Sequence, residues 1–294
     1  MIIFQLFALL TLTQLLGCAA ISTRPQLVED VVVRAIVAKQ TVLLGEVHDN
    51  TALHAKREAL VRAALAAGAR PALAFEQFDR GAQAAIDAAR LAKPRDAAYL
   101  IEQAQGSKPG WNWDFYRSLV QLALDNNLPI IATNLSRSDA MKIATTGLSG
   151  LSAVFNQTER TQLRLDEPLP DAMIAAHRAE IATGHCNLLP TPMVTPMAEA
   201  QIARDAVMAA ALKPHILGGV IFFAGNSHTR RDIGVPRWLP AAGVLSVGML
   251  EPNLEVNPSN ADASFDVKII GIAQSRENPC IKLKARFGSM LKTP

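Results

Sequence analysis

Carboxylate and imidazole side chains follow several hydrophobic runs of the sequence, at the points where those runs end. Glu46 and His48 come at the end of TVLLGEVH, Glu76 lies in ALAFEQF, and His228 follows GGVIFFAGN. Open parallel sheets bind their ligands outside the carboxyl ends of the strands. The recurrence of these residue types at successive strand ends therefore predicts one shared site.

Three chemistries suit this set of four side chains. Imidazole and carboxylate bind divalent metal ions, and an open coordination position would activate a water molecule. The same side chains could form a metal-free acid/base set in which a glutamate orients a histidine. The third interpretation is a hydrogen-bonded network that only holds the strand ends together. The residue types alone leave all three open.

The elements that would position these residues are strands alternating with helices. The predicted strands cover residues 41–47, 72–78, 128–134, 218–226, 242–249 and 265–271. This alternation predicts an α/β fold, with a mostly parallel sheet and flanking helices. Residues 136–214 break the alternation and predict an inserted, smaller, all-helical subdomain. In the tail, IKLKARF (281–287) predicts an edge strand, with contact to anionic lipid as the alternative.

Composition excludes several classes of protein. The chain has 294 residues, of which 50% are hydrophobic and 19% are charged, so it is neither disordered nor fibrous. Lys and Arg exceed Asp and Glu by 29 − 26, a net charge of +3, and only 5% of residues are aromatic. Both values argue against nucleic acid as a partner.

The N-terminus resembles a bacterial lipoprotein signal. Residues 1–17 form an apolar signal peptide ending in Leu-Leu-Gly before Cys18, the predicted lipidation site, and residues 18–36 would be a linker. Ala19, rather than Asp, follows the cysteine, which by sorting rules favours the outer membrane of a Gram-negative bacterium, facing the periplasm. The first residues lack Lys and Arg, so an uncleaved apolar anchor is the alternative.

Two further cysteines, Cys186 and Cys280, lie in the body of the chain. An oxidising compartment permits a disulfide between them, although two unpaired thiols are an equal possibility. The sequence has no Cys-x-x-Cys pair and no Cys/His spacing typical of structural zinc.

Several motifs together resemble the ChaN-like haem-binding lipoproteins. These motifs are LLGEVHDN, FEQF, the W-x-W-D-F-Y segment at 111–116, IIATN, Q-x-A-R-D at 201–205, and GNSHTRRDIGVPRWL at 225–239. The family belongs to a superfamily with erythromycin-esterase-like and Tiki/TraB-like proteins. The resemblance covers about residues 37–250, and the ChaN-like domain would extend over 37–294.

The resemblance implies haem binding by a homodimer that acts in haem or iron acquisition. In the characterised relative a tyrosine of one subunit ligates each iron, and His and Lys of the other hold the propionates. Candidate ligands here are Tyr99, Tyr116, His177 and His185, of which we favour His185 or a tyrosine. Candidate propionate cations are Lys142, Arg230 and Arg231. Candidate wall residues are Met173, Ile174, Ile181, Leu188 and Met193.

Two functions follow from these observations. The first is a periplasm-facing haem-binding lipoprotein, more a binding protein than an enzyme. The alternative is a hydrolase of the esterase or protease type, in which Glu46, His48, Glu76 and His228 act with or without a divalent metal.

Overall fold

The computed structural model describes residues 28–105, 110–252, 264–278, 280–281 and 283–285. The predicted signal peptide, Cys18 and the first part of the predicted linker lie outside these residues. Within the described part of the chain, no helix is long and apolar enough to cross a membrane.

One six-stranded sheet forms the centre of the protein, with strand order β3-β2-β4-β1-β5-β6. Every neighbouring pair is parallel. The strands are β1 (Thr41–Leu44), β2 (Ala72–Asp79), β3 (Ile130–Asn134), β4 (Val220–Phe223), β5 (Val244–Leu250) and β6 (Val267–Ile270). Each overlaps one predicted strand, so the α/β class and the parallel sheet are confirmed.

Helices cover both faces of this sheet. The first five are α1 (Val28–Val37), α2 (Thr51–Ala66), α3 (Gln83–Ala92), α4 (Ala97–Gln105) and α5 (Arg117–Asp125). The others are α6 (Arg137–Thr146), α7 (Gln157–Gln162), α8 (Asp171–Gly184), α9 (Thr191–Leu212) and the short α10 (Asn226–Thr229).

Alternate residues of each strand enter different cores. Val42 and Leu44 of β1 pack with residues of α1 to α5, whereas Leu43 packs with Met208 and Leu212 of α9. Successive side chains of a strand point to opposite faces, and both faces here are covered. This double burial explains why the strands appear in the sequence as continuous hydrophobic runs.

Between β3 and β4 the regular structure is helical, as α6 to α9 with a 3-10 segment at Gly147–Ala153. These helices enclose a small core of their own, in which Ile143 and Phe155 pack against Ala203 and Val207 of α9. The other end of α9 packs on the sheet. This long helix therefore connects the helical region to the strand ends.

Two segments differ from the sequence-based expectation. Residues 28–36, predicted as linker, belong to α1, because Val32 and Ile36 are buried against the sheet. Residues 281 and 283–285, within the predicted edge strand, are helical, as is residue 280 before it, so that prediction is wrong for them. The disulfide between Cys280 and Cys186 holds this segment beside the end of α8 and replaces strand pairing.

Candidate functional site

The four residues predicted at the strand ends lie at the same edge of the sheet. Glu46 and His48 follow β1, Glu76 lies near the end of β2, and His228 lies in α10 directly after β4. Hydrogen bonds divide them into two clusters, which adjoin at Gly225, because His48 and Glu76 both lie beside this glycine. Glu46 and His48 belong to one hydrogen-bonded cluster, and Glu76 and His228 belong to a second.

The first cluster surrounds the buried carboxylate of Glu46. Arg57 of α2 forms an ion pair with this carboxylate, and the Tyr116 hydroxyl donates to it at 2.6 Å. Gln77 donates at 3.2 Å, and His48 Nδ1 lies 2.7 Å from the same oxygen. Burial lowers the pKa of Arg57 to about 10, so it stays charged at neutral pH. Glu46 is thus neutralised and held by several donors.

A second histidine lies under this cluster. His54 Nε2 contacts the His48 carbonyl at 3.0 Å, and its ring stacks on Phe115 with 4.3 Å between centroids. Burial lowers the pKa of His54, which favours the neutral ring. The His48 side chain is 51% exposed, and its ring packs edge-on against Trp111 with 5.1 Å between the ring centroids. His48 is therefore the solvent-facing member of an otherwise buried network.

The second cluster joins the sheet to the helical region. His228 Nδ1 lies 2.6 Å from Asp205 Oδ1 of α9, and His228 Nε2 lies 3.6 Å from Glu76 Oε1. The Gly225 amide donates to the other Glu76 oxygen at 2.8 Å. Burial disfavours the charged ring, but the carboxylates of Asp205 and Glu76 outweigh it and raise the pKa of His228 to about 9. The ring is protonated at neutral pH.

This division weakens both catalytic interpretations. No three His, Cys, Asp or Glu side chains among the described residues are grouped so as to hold a metal ion. The carboxylates of Asp205 and Glu76 raise the pKa of His228, which disfavours this ring as a general base near neutral pH. We therefore do not favour the hydrolase alternative.

A cavity of about 1070 Å³ opens beside these clusters. Its size is at the upper end of the range for ligand pockets, about 300–1,000 Å³. One stripe of α6 lines it, and so does one stripe of α9, each with spacing i, i+3, i+4, i+7. The α6 stripe is Arg137, Ala140, Met141 and Ala144, and the α9 stripe is Met197, Ala200, Gln201 and Arg204.

The rest of the lining combines small residues with polar ones, including the carboxylates of Glu76, Asp79 and Asp139. Gly81 and Ala82 come from the 3-10 turn before α3, Ala85 comes from the first turn of α3, and Ala104 comes from the end of α4. Trp111 completes this side. Small side chains on facing walls leave a gap that an apolar ligand can enter without displacing a side chain.

Three arginines supply positive charge around the cavity. Arg204 donates to Asn134 Oδ1 at 2.6 Å, and Arg80 lies 3.4 Å from Glu159. Arg137 forms no hydrogen bond or ion pair with any residue that the structure describes. The cavity therefore combines apolar surface with a cation, Arg137, that no carboxylate of the described residues pairs with.

Comparison with known proteins decides the family. The model for "Haem-binding uptake, Tiki superfamily, ChaN" matches residues 32–239, well over half of the chain. The protein belongs to the ChaN family. No curated protein sequence matches it.

A solved structure supports the ChaN-like fold. The structure of ChaN from Campylobacter jejuni, described for its cofacial haem binding, matches with a TM-score of 0.63 and 20% identity. That match covers 82% of this chain and 90% of the other. The type III effector HopBA1 matches with a TM-score of 0.44 and 14% identity, over 84% and 94% of the chains.

The tyrosines of this ChaN-family chain lie away from the cavity. Tyr116 is buried, donates to Glu46, and has its pKa raised, mainly by burial. Tyr99 packs partly against the core, with the Lys93 ammonium 4.3 Å from its ring centroid. Neither residue lines the large cavity. The Tyr116 hydroxyl is engaged in the Glu46 cluster, as expected of a packed tyrosine.

His177 and His185 line a smaller cavity of about 230 Å³, which adjoins the large one and shares Gln201 and His228 with it. His177 Nε2 contacts the Ile233 carbonyl at 3.1 Å, and His185 Nδ1 contacts the Ile181 carbonyl at 2.8 Å. This volume lies below the usual range for ligand pockets, about 300–1,000 Å³. The two histidines therefore do not face a space suited to a macrocycle.

The cations expected to hold propionates are already paired. Arg230 bonds to Asp232 and Glu180, and Arg231 bonds to Asp266. Lys142 lies 2.9 Å from Asp139 on the same helix. These three residues do not line either cavity. Met193, expected in the apolar wall, is 45% exposed and also lies outside both cavities.

The residues that sequence reasoning missed are Arg57, Arg137, Met141, Met197, Arg204 and Asp205. Arg204 and Asp205 belong to the Q-x-A-R-D motif, one of the motifs that carry the family resemblance. Arg57 follows His54 by one helical turn, a spacing that places both on one face. The i, i+3, i+4, i+7 stripes of α6 and α9 were the available signal for the cavity.

The disulfide left open by the sequence is present. Cys186, just after α8, is bonded to Cys280 across a separation of 94 residues. It attaches the tail to the helical region beside His185.

Proposed function

We propose that this ChaN-family protein binds haem in the large cavity, as a lipid-anchored protein of the outer membrane that faces the periplasm and serves haem or iron acquisition. The observation that carries the proposal is the cavity between α6, α9 and the strand ends, with its apolar walls and arginines. Family membership supports the same ligand. In this proposal haem is the ligand that the protein acquires for its iron.

The walls suit a flat apolar ring. The stripes of α6 and α9 present Ala140, Ala144 and Ala200, and the opposite wall presents Ala85 and Ala104. Short side chains let a planar ligand approach the helix backbones closely, and each contact adds dispersion energy. The cavity volume of about 1070 Å³ accommodates a large ligand.

The arginines suit carboxylates such as propionates. A guanidinium presents a planar fork of donors that matches a carboxylate bidentately. Arg137 is available because no described residue pairs with it. Arg204 and Arg80 already make contacts, and each also lines the cavity. We propose Arg137 as the principal propionate partner.

The location rests on the N-terminus and the disulfide. The signal resemblance of residues 1–17 and Cys18 supports lipidation. The Cys186–Cys280 bond supports an oxidising compartment such as the periplasm. Cofacial haem binding in the Campylobacter jejuni protein supports a homodimer that brings two haems together.

A haem titration tests this proposal. The full chain, solubilised in detergent, is titrated with haemin, and the change in the Soret band is followed. Ala144→Phe and Ala85→Phe, on facing walls, should fill the gap and weaken binding about tenfold or more, a loss of about 1.4 kcal/mol. Ala63→Phe on the exposed face of α2 is the matched control and should bind as the wild type does. Absence of any Soret change in the wild type would refute the proposal.

A further inference from the structure

His228 is the only histidine among the described residues that line the haem cavity. Haem iron is held in proteins by His, Cys, Met or Tyr. The described lining contains no cysteine or tyrosine, so the other candidate donors are the thioethers of Met141 and Met197. An imidazole differs from a thioether because a hydrogen bond to one ring nitrogen fixes the other toward the metal. The surroundings of His228 therefore show whether its ring is prepared for this role.

Asp205 orients the His228 ring. Its Oδ1 lies 2.6 Å from His228 Nδ1, so the carboxylate accepts a hydrogen bond from the Nδ1 proton. Asp205 is buried, and its other oxygen has no hydrogen-bond partner among the described residues. A buried carboxylate that makes so few hydrogen bonds is costly and calls for an explanation. Histidines that ligate metals ordinarily donate their second ring N–H to such a carboxylate, which increases the basicity of the ligating nitrogen.

His228 Nε2 is the nitrogen that remains for iron. Glu76 Oε1 lies 3.6 Å from it, which is an ion-pair contact but too long for a hydrogen bond. The Gly225 amide donates to the other Glu76 oxygen at 2.8 Å and holds this carboxylate in place. Glu76 and His228 both line the cavity. A ligand in the cavity can thus reach Nε2 without breaking the hydrogen bond to Asp205.

The charge around this ring also suits iron. Asp205 and Glu76 flank the ring and favour a positive charge there. Metal binding to a histidine releases the proton of the ligating nitrogen, here to solvent through the cavity. The core of ferric haem carries a single net positive charge, because the porphyrin dianion offsets the rest of the charge of the iron. Ferric haem therefore replaces the departing proton, and neither buried carboxylate is left uncompensated.

The other histidines near the site are less well placed. His48 also has a carboxylate at Nδ1, that of Glu46 at 2.7 Å, but its Nε2 faces the backbone at Gly225. A Cβ atom on that glycine would lie 3.1 Å from this nitrogen, so a macrocycle has no room between them. His177 and His185 line the smaller cavity but not the large one.

Resting on the proposed function, we infer that His228 Nε2 is the axial ligand of the iron of bound haem, with Asp205 as its positioning residue. One protein ligand suffices, and the opposite face of the iron is open to water. The anionic partner at Nδ1 makes the imidazole a stronger donor, which favours the ferric state. This site would therefore hold ferric haem more tightly than ferrous haem.

Resonance Raman spectroscopy of the wild type tests this inference without a substitution. The full chain in detergent is loaded with haemin and then reduced with dithionite. Five-coordinate ferrous haem with an imidazole ligand gives an iron–histidine stretching band, which tyrosine and methionine ligands do not give. Labelling histidine with nitrogen-15 should move this band to lower frequency. Absence of the band in the wild type would overturn the assignment.

Matched substitutions identify which histidine is the ligand. His228→Gln should lose the band and bind haemin at least about tenfold more weakly. His48→Gln and His185→Gln should keep both the band and the affinity. Asp205→Asn should keep the band but move it to lower frequency and raise the reduction potential, because an amide is a weaker acceptor than a carboxylate. Far-ultraviolet circular dichroism checks that each variant is folded.

The outcomes separate the inference from the proposed function. If haemin changes the Soret band of the wild type but the stretching band is absent, or if folded His228→Gln keeps it, the ligand assignment fails while haem binding stands. Loss of the band in His48→Gln or His185→Gln would also overturn the assignment. The side chains of His48 and His185 are not buried, so these two variants decide the question even where His228→Gln does not fold. If the wild type binds no haem, the proposed function itself fails.

Discussion

His228 Nδ1 lies 2.6 Å from Asp205 Oδ1, although one residue follows β4 and the other belongs to α9 of the helical region. Both side chains are buried. Removing one partner of a buried pair leaves the other charge uncompensated, which costs about 3–5 kcal/mol. The pair therefore attaches the wall of the proposed haem cavity to the sheet edge.

The first prediction concerns the pH dependence of stability. The pKa of His228 is raised to about 9, from an ordinary value of about 6.5. Burial alone would lower this pKa, but the carboxylates of Asp205 and Glu76 have the larger effect. The folded state then binds the proton more tightly than the unfolded state does. This stabilisation is fully present below about pH 6.5 and is lost as the pH rises through 9, by about 1–3 kcal/mol.

Urea unfolding at a series of pH values between 6 and 10 measures this loss. Asp205→Asn should flatten the profile, because the amide no longer favours the protonated ring. His215→Gln, outside the cluster, should keep the wild-type slope. A wild-type free energy of unfolding that rises between pH 6.5 and 9 would contradict the assignment.

The second prediction separates Tyr116 from haem binding. Tyr116→Phe removes the 2.6 Å hydrogen bond to the buried Glu46 carboxylate, so the free energy of unfolding should fall by about 1–3 kcal/mol. The haem spectrum should stay unchanged, because Tyr116 does not line the cavity. Tyr99→Phe should also leave the spectrum unchanged. A shifted Soret band in either variant would restore that tyrosine as the ligand.

The third prediction concerns the disulfide. Cys280→Ser should lower the free energy of unfolding by about 2–4 kcal/mol, because the bond closes a long loop in the unfolded chain. Cys186→Ser should cause the same loss, and the double variant should lose no more than either single one. Reductant should destabilise the wild type but not the variants. Two free thiols in a denatured, unreduced sample would show that the bond does not form.

The fourth prediction concerns Cys18, which lies outside the described residues. Cys18→Ser should abolish incorporation of labelled fatty acid and leave either soluble protein or an unprocessed precursor. A Cys280→Ser chain expressed in the same cells is the control and should still be labelled. If the wild type takes up no fatty acid yet sediments with membranes, the uncleaved apolar anchor becomes the preferred account.

Strand positions were predictable because they depend on local composition. Each strand is a short apolar run buried on both faces, and this signal is contained in a few successive residues. The tail was mispredicted for the opposite reason. Alternating apolar and basic residues at 281–287 favour a strand locally, but a bond between Cys280 and Cys186 sets the segment's position.

The amino-acid sequence alone determined the α/β class, the family and the edge of the sheet at which Glu46, His48, Glu76 and His228 lie. Only the tertiary structure decided that Arg57 and Tyr116 neutralise and enclose Glu46, and that Asp205 pairs with His228. Charge pairing and burial depend on neighbours in space, such as Tyr116 and Glu46, which are 70 residues apart in the chain. Residue type specifies what a side chain can do, but the packed neighbours determine whether its lone pairs and charge remain available.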